Sequence, residues 1–203
     1  MSKIYDWRDL NLQSLDLILC KGTSRLSRYI QKTQEFAGAD ENEAEFTHVA
    51  KVSEAGNFET IVHESTTLNE WAGKAGVQAN YMHNWLPNYN GEVYVRKLEF
   101  TRTSMFGVKD YNFWSKVKGM PYESGIPGGF ELLLCALRLH RYIPWYTPME
   151  TKELHCTEMV AEAIDYHELW ESQIQPNRMP PHIWASQIDD NLRCDISELI
   201  RIK

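Results

Sequence analysis

The hydrophobic period of this chain changes near residue 100, and that change restricts the fold class more than any other feature. Ahead of it lie short strand-like runs. Leu15-Asp-Leu-Ile-Leu-Cys20, closed by Lys21-Gly22, has the length and bounding turn of a largely buried strand. Residues 47–53 and 58–64 form two more such runs, separated by Glu54-Ala-Gly-Asn57, a turn suited to a hairpin. Residues 92–98 alternate cleanly after Asn90-Gly91 and read as a further strand. One helix is expected among them: Ser24 caps it, Leu26 and Ile30 lie at i, i+4 spacing, and Arg25, Arg28 and Lys32 are left for the wet face. The acidic stretch 40–45 reads as a solvated loop. Beyond residue 100, segments near 103–118, 129–141 and 156–169 carry helical periodicity, broken by Gly119, Pro121, Gly128, Pro144 and Pro148. A small, mostly antiparallel sheet followed by a helix-rich half is an α+β arrangement. With 203 residues and neither repeat nor linker, residues 1–203 are expected to form a single domain.

Composition narrows the partners. Apolar residues make up 43% of the chain, enough for a packed interior, and the formal charge is −7. That charge disfavours nucleic acid and anionic lipid unless a local basic patch overrides it. Cys20, Cys135, Cys156 and Cys194 are too irregularly spaced for a disulfide scaffold, and no CxxC pair offers a zinc site. Free thiols, and neither metal nor cofactor, are expected. Charges near the N-terminus replace the apolar run of an export signal. The most apolar stretch, residues 130–139, falls short of the roughly 18 residues of a membrane span. The reading is a cytoplasmic protein without stable membrane insertion, its oligomeric state left open.

Cys156 opens an amphipathic helical pattern in which Met159, Val160, Ala163 and Ile164 share a stripe. Unpaired N–H groups and the helix dipole favour a thiolate there by about 0.3 to 1 kcal/mol, lowering a thiol pKa of about 8.5 by up to most of a unit. A half-buried packing cysteine fits the same position. A nucleophilic thiol needs an imidazole, and the imidazole an orienting group. His48 and Glu64 fit those roles, one on each of two strands that a hairpin would pair. Alternation puts His48, Ala50 and Val52 on one face of the first strand and Val62 and Glu64 on one face of the second, with His63 turned away. Taken singly, His48 also fits a sheet histidine and Glu64 a surface carboxylate. His155 abuts Cys156, but adjacent side chains at a helix start diverge. His83, His140, His167 and His182 lack partner spacing, and Cys20, Cys135 and Cys194 sit in apolar settings that suit core packing.

Taken together, Leu15-Asp-Leu-Ile-Leu, Ser27-Arg-Tyr-Ile, Thr47-His-Val-Ala-Lys-Val, Val62-His-Glu, Lys118-Gly-Met-Pro-Tyr-Glu and His155-Cys-Thr-Glu-Met-Val-Ala-Glu-Ala resemble the permuted papain-like amidases of the NlpC superfamily, the YiiX/YaeF-like group. The order is the specific part, with the Pro-Tyr and cysteine blocks moved to the end. The resemblance implies a circularly permuted papain-like (NlpC-type) fold, with Cys156 as nucleophile, His48 as general base and Glu64 orienting the imidazole. It also places Tyr122 beside the nucleophile, where the phenol would help the Cys156 backbone N–H hold an oxyanion. Departures from the family pattern are Leu15 for a glycine, Lys51 for an apolar residue, His155 for an aromatic and Thr157 for a serine.

Three functions follow as expectations. The first is a cysteine hydrolase that cleaves an amide in a peptide or cell-wall-peptide-like substrate through a thioester. The second is an acyltransferase or lipid-amide hydrolase of the lecithin retinol acyltransferase type, with the 130–139 helix and Trp85, Trp114 and Trp145 lining an acyl pocket. The third is a binding module without turnover.

Overall fold

The computed structural model describes residues 3–54, 59–67, 75–122, 154–171, 180–186 and 192–203. A 3-10 turn (Trp7–Leu10) leads into β1 (Leu17–Gly22), α1 (Arg25–Phe36), α2 (Glu41–Ala44), β2 (His48–Glu54), β3 (Ile61–Thr66), β4 (Gly76–Tyr81), α3 (Met82–Asn88) and β5 (Gly91–Arg96). There follow β6 (Leu98–Glu99), α4 (Phe106–Val117), α5 (Cys156–Tyr166), α6 (Pro181–Ala185), β7 (Asp195–Ile196) and β8 (Ile200–Arg201). Six strands form one antiparallel sheet in the order β4-β3-β2-β1-β5-β8, and β6 pairs with β7 apart from it. The architecture is α+β.

The sheet carries a core on each face. Leu17, Leu19 and Val49 pack toward Met159, Val160, Ala163 and Ile164 of α5, while Ile18, Cys20, Ala50, Val52, Val62, Val93 and Val95 pack on the other face with Met82 and Trp85. This is why β1 reads as an unbroken apolar run: alternate residues enter different cores, and both are dry. Along α5, Met159, Val160, Ala161, Ala163 and Ile164 are fully buried. At about 1.5 to 3 kcal/mol for each large aliphatic side chain, this helix is anchored by its apolar face.

Two segments differ from the sequence reading. Within the acidic stretch 40–45, Asp40 accepts the Asn42 backbone N–H at 2.9 Å and starts α2, with Glu41 and Glu43 in the first turn, where the dipole favours acids, and Ala44 buried below. Residues 76–88, to which the sequence reading assigns no element, form β4 and α3. Their pattern is faint because only the first half of β4 is buried. The expected helix at 129–141, the turn at 55–57, Cys135 and Trp145 lie outside the described residues.

The departures at Leu15 and Lys51 have structural explanations. Leu15 has φ 73°, in the left-handed region where the resemblance calls for glycine, and its side chain is fully buried. The strain of about 1 to 2 kcal/mol is offset by that burial. Lys51 is fully buried, and its Nζ donates to Asp110 Oδ1 of α4 at 2.7 Å. Ser53 donates to the other oxygen at 3.0 Å, so the sheet and α4 are joined by a satisfied ionic contact.

Candidate active site

Three elements converge beside the N-terminus of α5. Leu154 N–H donates to the Pro121 carbonyl at 3.0 Å, and the Ser65 hydroxyl donates to the Leu154 carbonyl. The segment before the helix is thus tied to β3 and to the Pro-Tyr block. That block is tied in turn to β4: Val77 N–H donates to the Met120 carbonyl at 2.8 Å, and Gly119 N–H to the Val77 carbonyl at 3.0 Å. Gly76, with φ 131°, makes room, since a β-carbon there would lie 2.3 Å from the Met120 oxygen. His155 caps α5, its Nδ1 lying 2.8 Å from Thr157 Oγ1 and accepting the Glu158 N–H at 3.3 Å. Its imidazole serves the helix start, in keeping with the divergence expected from its adjacency to Cys156.

The structure brings Cys156, His48, Glu64 and Tyr122 into one region. His48 Nε2 lies 2.9 Å from Glu64 Oε2, and the remaining ring nitrogen is left for the Cys156 thiol, to which the imidazole is hydrogen-bonded. Register explains the first contact. Lys51 pairs with His63, so Glu64 falls opposite Ala50 and diagonal to His48 on the same face. Glu64 is itself clamped, its Oε1 accepting from Asn80 Nδ2 at 2.8 Å, Trp85 Nε1 at 3.0 Å and Gln78 Nε2 at 3.2 Å. These three donors were not anticipated. The signal for two of them was Gln78 and Asn80 at i, i+2 spacing after Gly76. Trp85, expected to line an acyl pocket, is instead 1% exposed and spends its N–H on Glu64. Trp114 stacks on His63, centroids 3.7 Å apart, remote from such a role.

The electrostatics favour an ion pair. Burial pushes the Cys156 thiol up, but the His48 hydrogen bond and charge, with the backbone N–H groups of Val49 and Thr157, outweigh it and hold the thiol below its ordinary value. Burial also disfavours the His48 imidazolium. The Cys156 and Glu64 hydrogen bonds and charges outweigh that and raise the imidazole to about 10. The two shifts therefore favour the charged pair, thiolate with imidazolium, over the neutral one. Cys20, directly opposite His48 in the β1–β2 pair, is pushed well up by burial and by Glu64, and stays a neutral thiol.

A cleft of about 280 Å³ opens over this pair, lined by Cys156, His48, Tyr89 and Tyr122. The N-terminal turns of α1 supply Ser24, Arg25, Leu26, Ser27 and Ile30, and Thr47, Thr66 and Thr67 add hydroxyls. It is neither a purely charged slot nor an apolar tunnel. The start of α5 adds N–H groups without intrahelical acceptors. Such a site can carry nucleophilic attack on a carbonyl and hold the resulting oxyanion. Among the described residues, no group of three or more His, Cys, Asp and Glu side chains is placed to hold a metal ion, and no helix is long and apolar enough to cross a membrane. The chain matches no protein-family model, and no curated protein matches it.

Proposed function

We propose that this protein is a cysteine hydrolase that cleaves an amide bond, in a peptide or cell-wall-peptide-like substrate, through a thioester acyl-enzyme. The observation that carries the reading is the hydrogen-bonded row Cys156–His48–Glu64 under one open cleft. The thiolate attacks the carbonyl carbon, a C–S bond forms, and the carbonyl π pair moves to oxygen. The Cys156 N–H and the Tyr122 hydroxyl are the groups assigned to the oxyanion. Its collapse breaks the C–N bond as the His48 imidazolium gives its proton to the departing amine. Water, deprotonated by His48, then attacks the thioester, and the acid leaves as the thiolate is restored. Glu64 keeps the imidazole oriented throughout and stabilises it whenever it carries the proton. A permuted papain-like arrangement is consistent with the order of these parts along the chain.

The aliphatic wall of Leu26 and Ile30 in the same cleft favours a second reading, transfer or hydrolysis of a fatty acyl group. A screen of peptide amides against acyl esters and acyl amides, run on wild type and Cys156→Ser, separates the two. Turnover of peptide amides that disappears in Cys156→Ser is expected. Turnover confined to acyl substrates transfers the assignment to the second reading. Turnover of neither class, with unaltered folding, leaves a binding module.

A further inference from the structure

The helix that walls the cleft carries an exposed aromatic and basic outward face on a chain that is acidic as a whole. Arg25, Tyr29, Lys32 and Phe36 follow i, i+4, i+7, i+11 spacing and form one stripe along α1, flanked by Leu26 and Arg28. The opposite side faces inward: Ile30 and Gln34 are buried, and Gln34 Nε2 donates to the Ala44 and Phe46 carbonyls at 2.8 and 3.0 Å. The stripe itself is bare. Phe36 is 79% exposed, Tyr29 53% and Leu26 42%. Three bases against one acid, Glu35, lie on this helix, although the whole chain carries −7. Exposed aromatics alternating with bases along a convex stripe need a partner that is apolar at one depth and anionic just above it.

We propose that α1 docks this protein on an anionic lipid surface, with Phe36, Tyr29 and Leu26 at the depth of the acyl boundary and Arg25, Arg28 and Lys32 among the headgroup phosphates or carboxylates. Charge complementarity selects that occupant. The rest of the chain carries a net negative charge, so attraction to such a surface favours this face, which orients the molecule. Arg25 and Leu26 belong both to the stripe and to the lining of the cleft, so a docked molecule holds the cleft mouth against the lipid. Docking does not depend on the thiol chemistry, and the two readings fail separately.

The test is sedimentation of the full chain with vesicles of phosphatidylcholine alone and of phosphatidylcholine with 30% phosphatidylserine (about one lipid in three anionic, to give a strong negative surface), at low and at high salt. Wild type is expected to sediment with the anionic vesicles at low salt and to be released by high salt. Arg28→Gln with Lys32→Gln is expected to weaken partition roughly 25-fold, about fivefold for each base. Phe36→Ser is expected to weaken it with the charge intact. The variants leave the cleft untouched, so alkylation of Cys156 at an unchanged rate establishes that they are folded. Failure of wild type to bind anionic vesicles at low salt overturns the proposal, as does equal binding by the double variant. Binding to soluble polyglutamate but not to vesicles also overturns it, and assigns the face to an acidic protein.

Discussion

Replacing Glu64 with glutamine probes the least replaceable part of the site, because the structure dictates which way the new amide points. Three donors, from Gln78, Asn80 and Trp85, converge on Oε1. The amide oxygen must take that position, since an NH2 group there would oppose three N–H donors. The NH2 then faces His48 Nε2, where Glu64 Oε2 now sits at 2.9 Å. An imidazolium cannot accept from it, so His48 loses its proton at Nε2 and the thiolate loses its cationic partner. In serine hydrolases the corresponding loss of an orienting carboxylate costs about 10,000-fold in rate, or ~5 kcal/mol at 1.36 kcal/mol per decade. A thiol is the better intrinsic nucleophile, so a loss of about 100- to 10,000-fold is expected here. Alkylation of Cys156 by iodoacetamide, followed by mass spectrometry from pH 5 to 10, reads the effect without a substrate. Wild type should reach its plateau rate at a lower pH than an ordinary thiol does. In Glu64→Gln the rate should rise only at alkaline pH, with circular dichroism unchanged. Identical pH profiles for the two would remove Glu64 from the triad and refute the orientation argument.

Other perturbations test the frame that holds the site. Lys51→Met leaves Asp110 buried without its cation and is expected to cost about 3 to 5 kcal/mol, read from the urea midpoint; a loss under ~1 kcal/mol would mean the pair is not buried as described. Gly76→Ala meets the Met120 carbonyl and a φ of 131°, so a loss of about 2 to 4 kcal/mol is expected, lowering the thermal midpoint by roughly 4 to 16 °C. An unaltered midpoint would contradict the close approach. His63, stacked on Trp114, is held down to about 3 by burial and by the Lys51 charge, against Asp110. Its unfolded value of 6.5 is higher, so its contribution to stability is fully present above pH 6.5 and is lost as pH falls from there toward 3. The loss is about 1.4 kcal/mol for each pH unit in that window. His63→Phe should flatten this part of the stability profile, and an undiminished acid slope would place the proton elsewhere.

The candidate site residues were legible because each sits in a strongly patterned element. His48 and Glu64 occupy alternating runs whose register follows from antiparallel pairing, and Cys156 heads a helix whose apolar stripe is unmistakable. What clamps Glu64 was not legible. Gln78 and Asn80 lie on a strand whose outer half is exposed, so no alternation marks it, and Trp85 reads as core or pocket until its N–H is seen to have a partner. The Lys51–Asp110 contact joins residues far apart in sequence, and a lysine in an apolar strand gives no hint of which acid neutralises it. Residues 40–45 read as loop because acids dominate, although Asp40 as cap and two first-turn glutamates are the chemistry of a short helix. Leu15 departs from the pattern of the resemblance, and its backbone takes a left-handed conformation that glycine accepts without strain.

The thiolate–imidazolium pair is the central claim, and the absorbance of thiolate near 240 nm, titrated as the difference between wild type and Cys156→Ser (pH ~4 to 11, spanning both ordinary values), tests it most directly. The wild-type transition should fall below the ordinary thiol range, and His48→Ala should raise it, because burial then faces only the Val49 and Thr157 N–H groups. A wild-type transition at or above the ordinary value, unmoved by His48→Ala, would contradict the pairing on which the proposed chemistry rests.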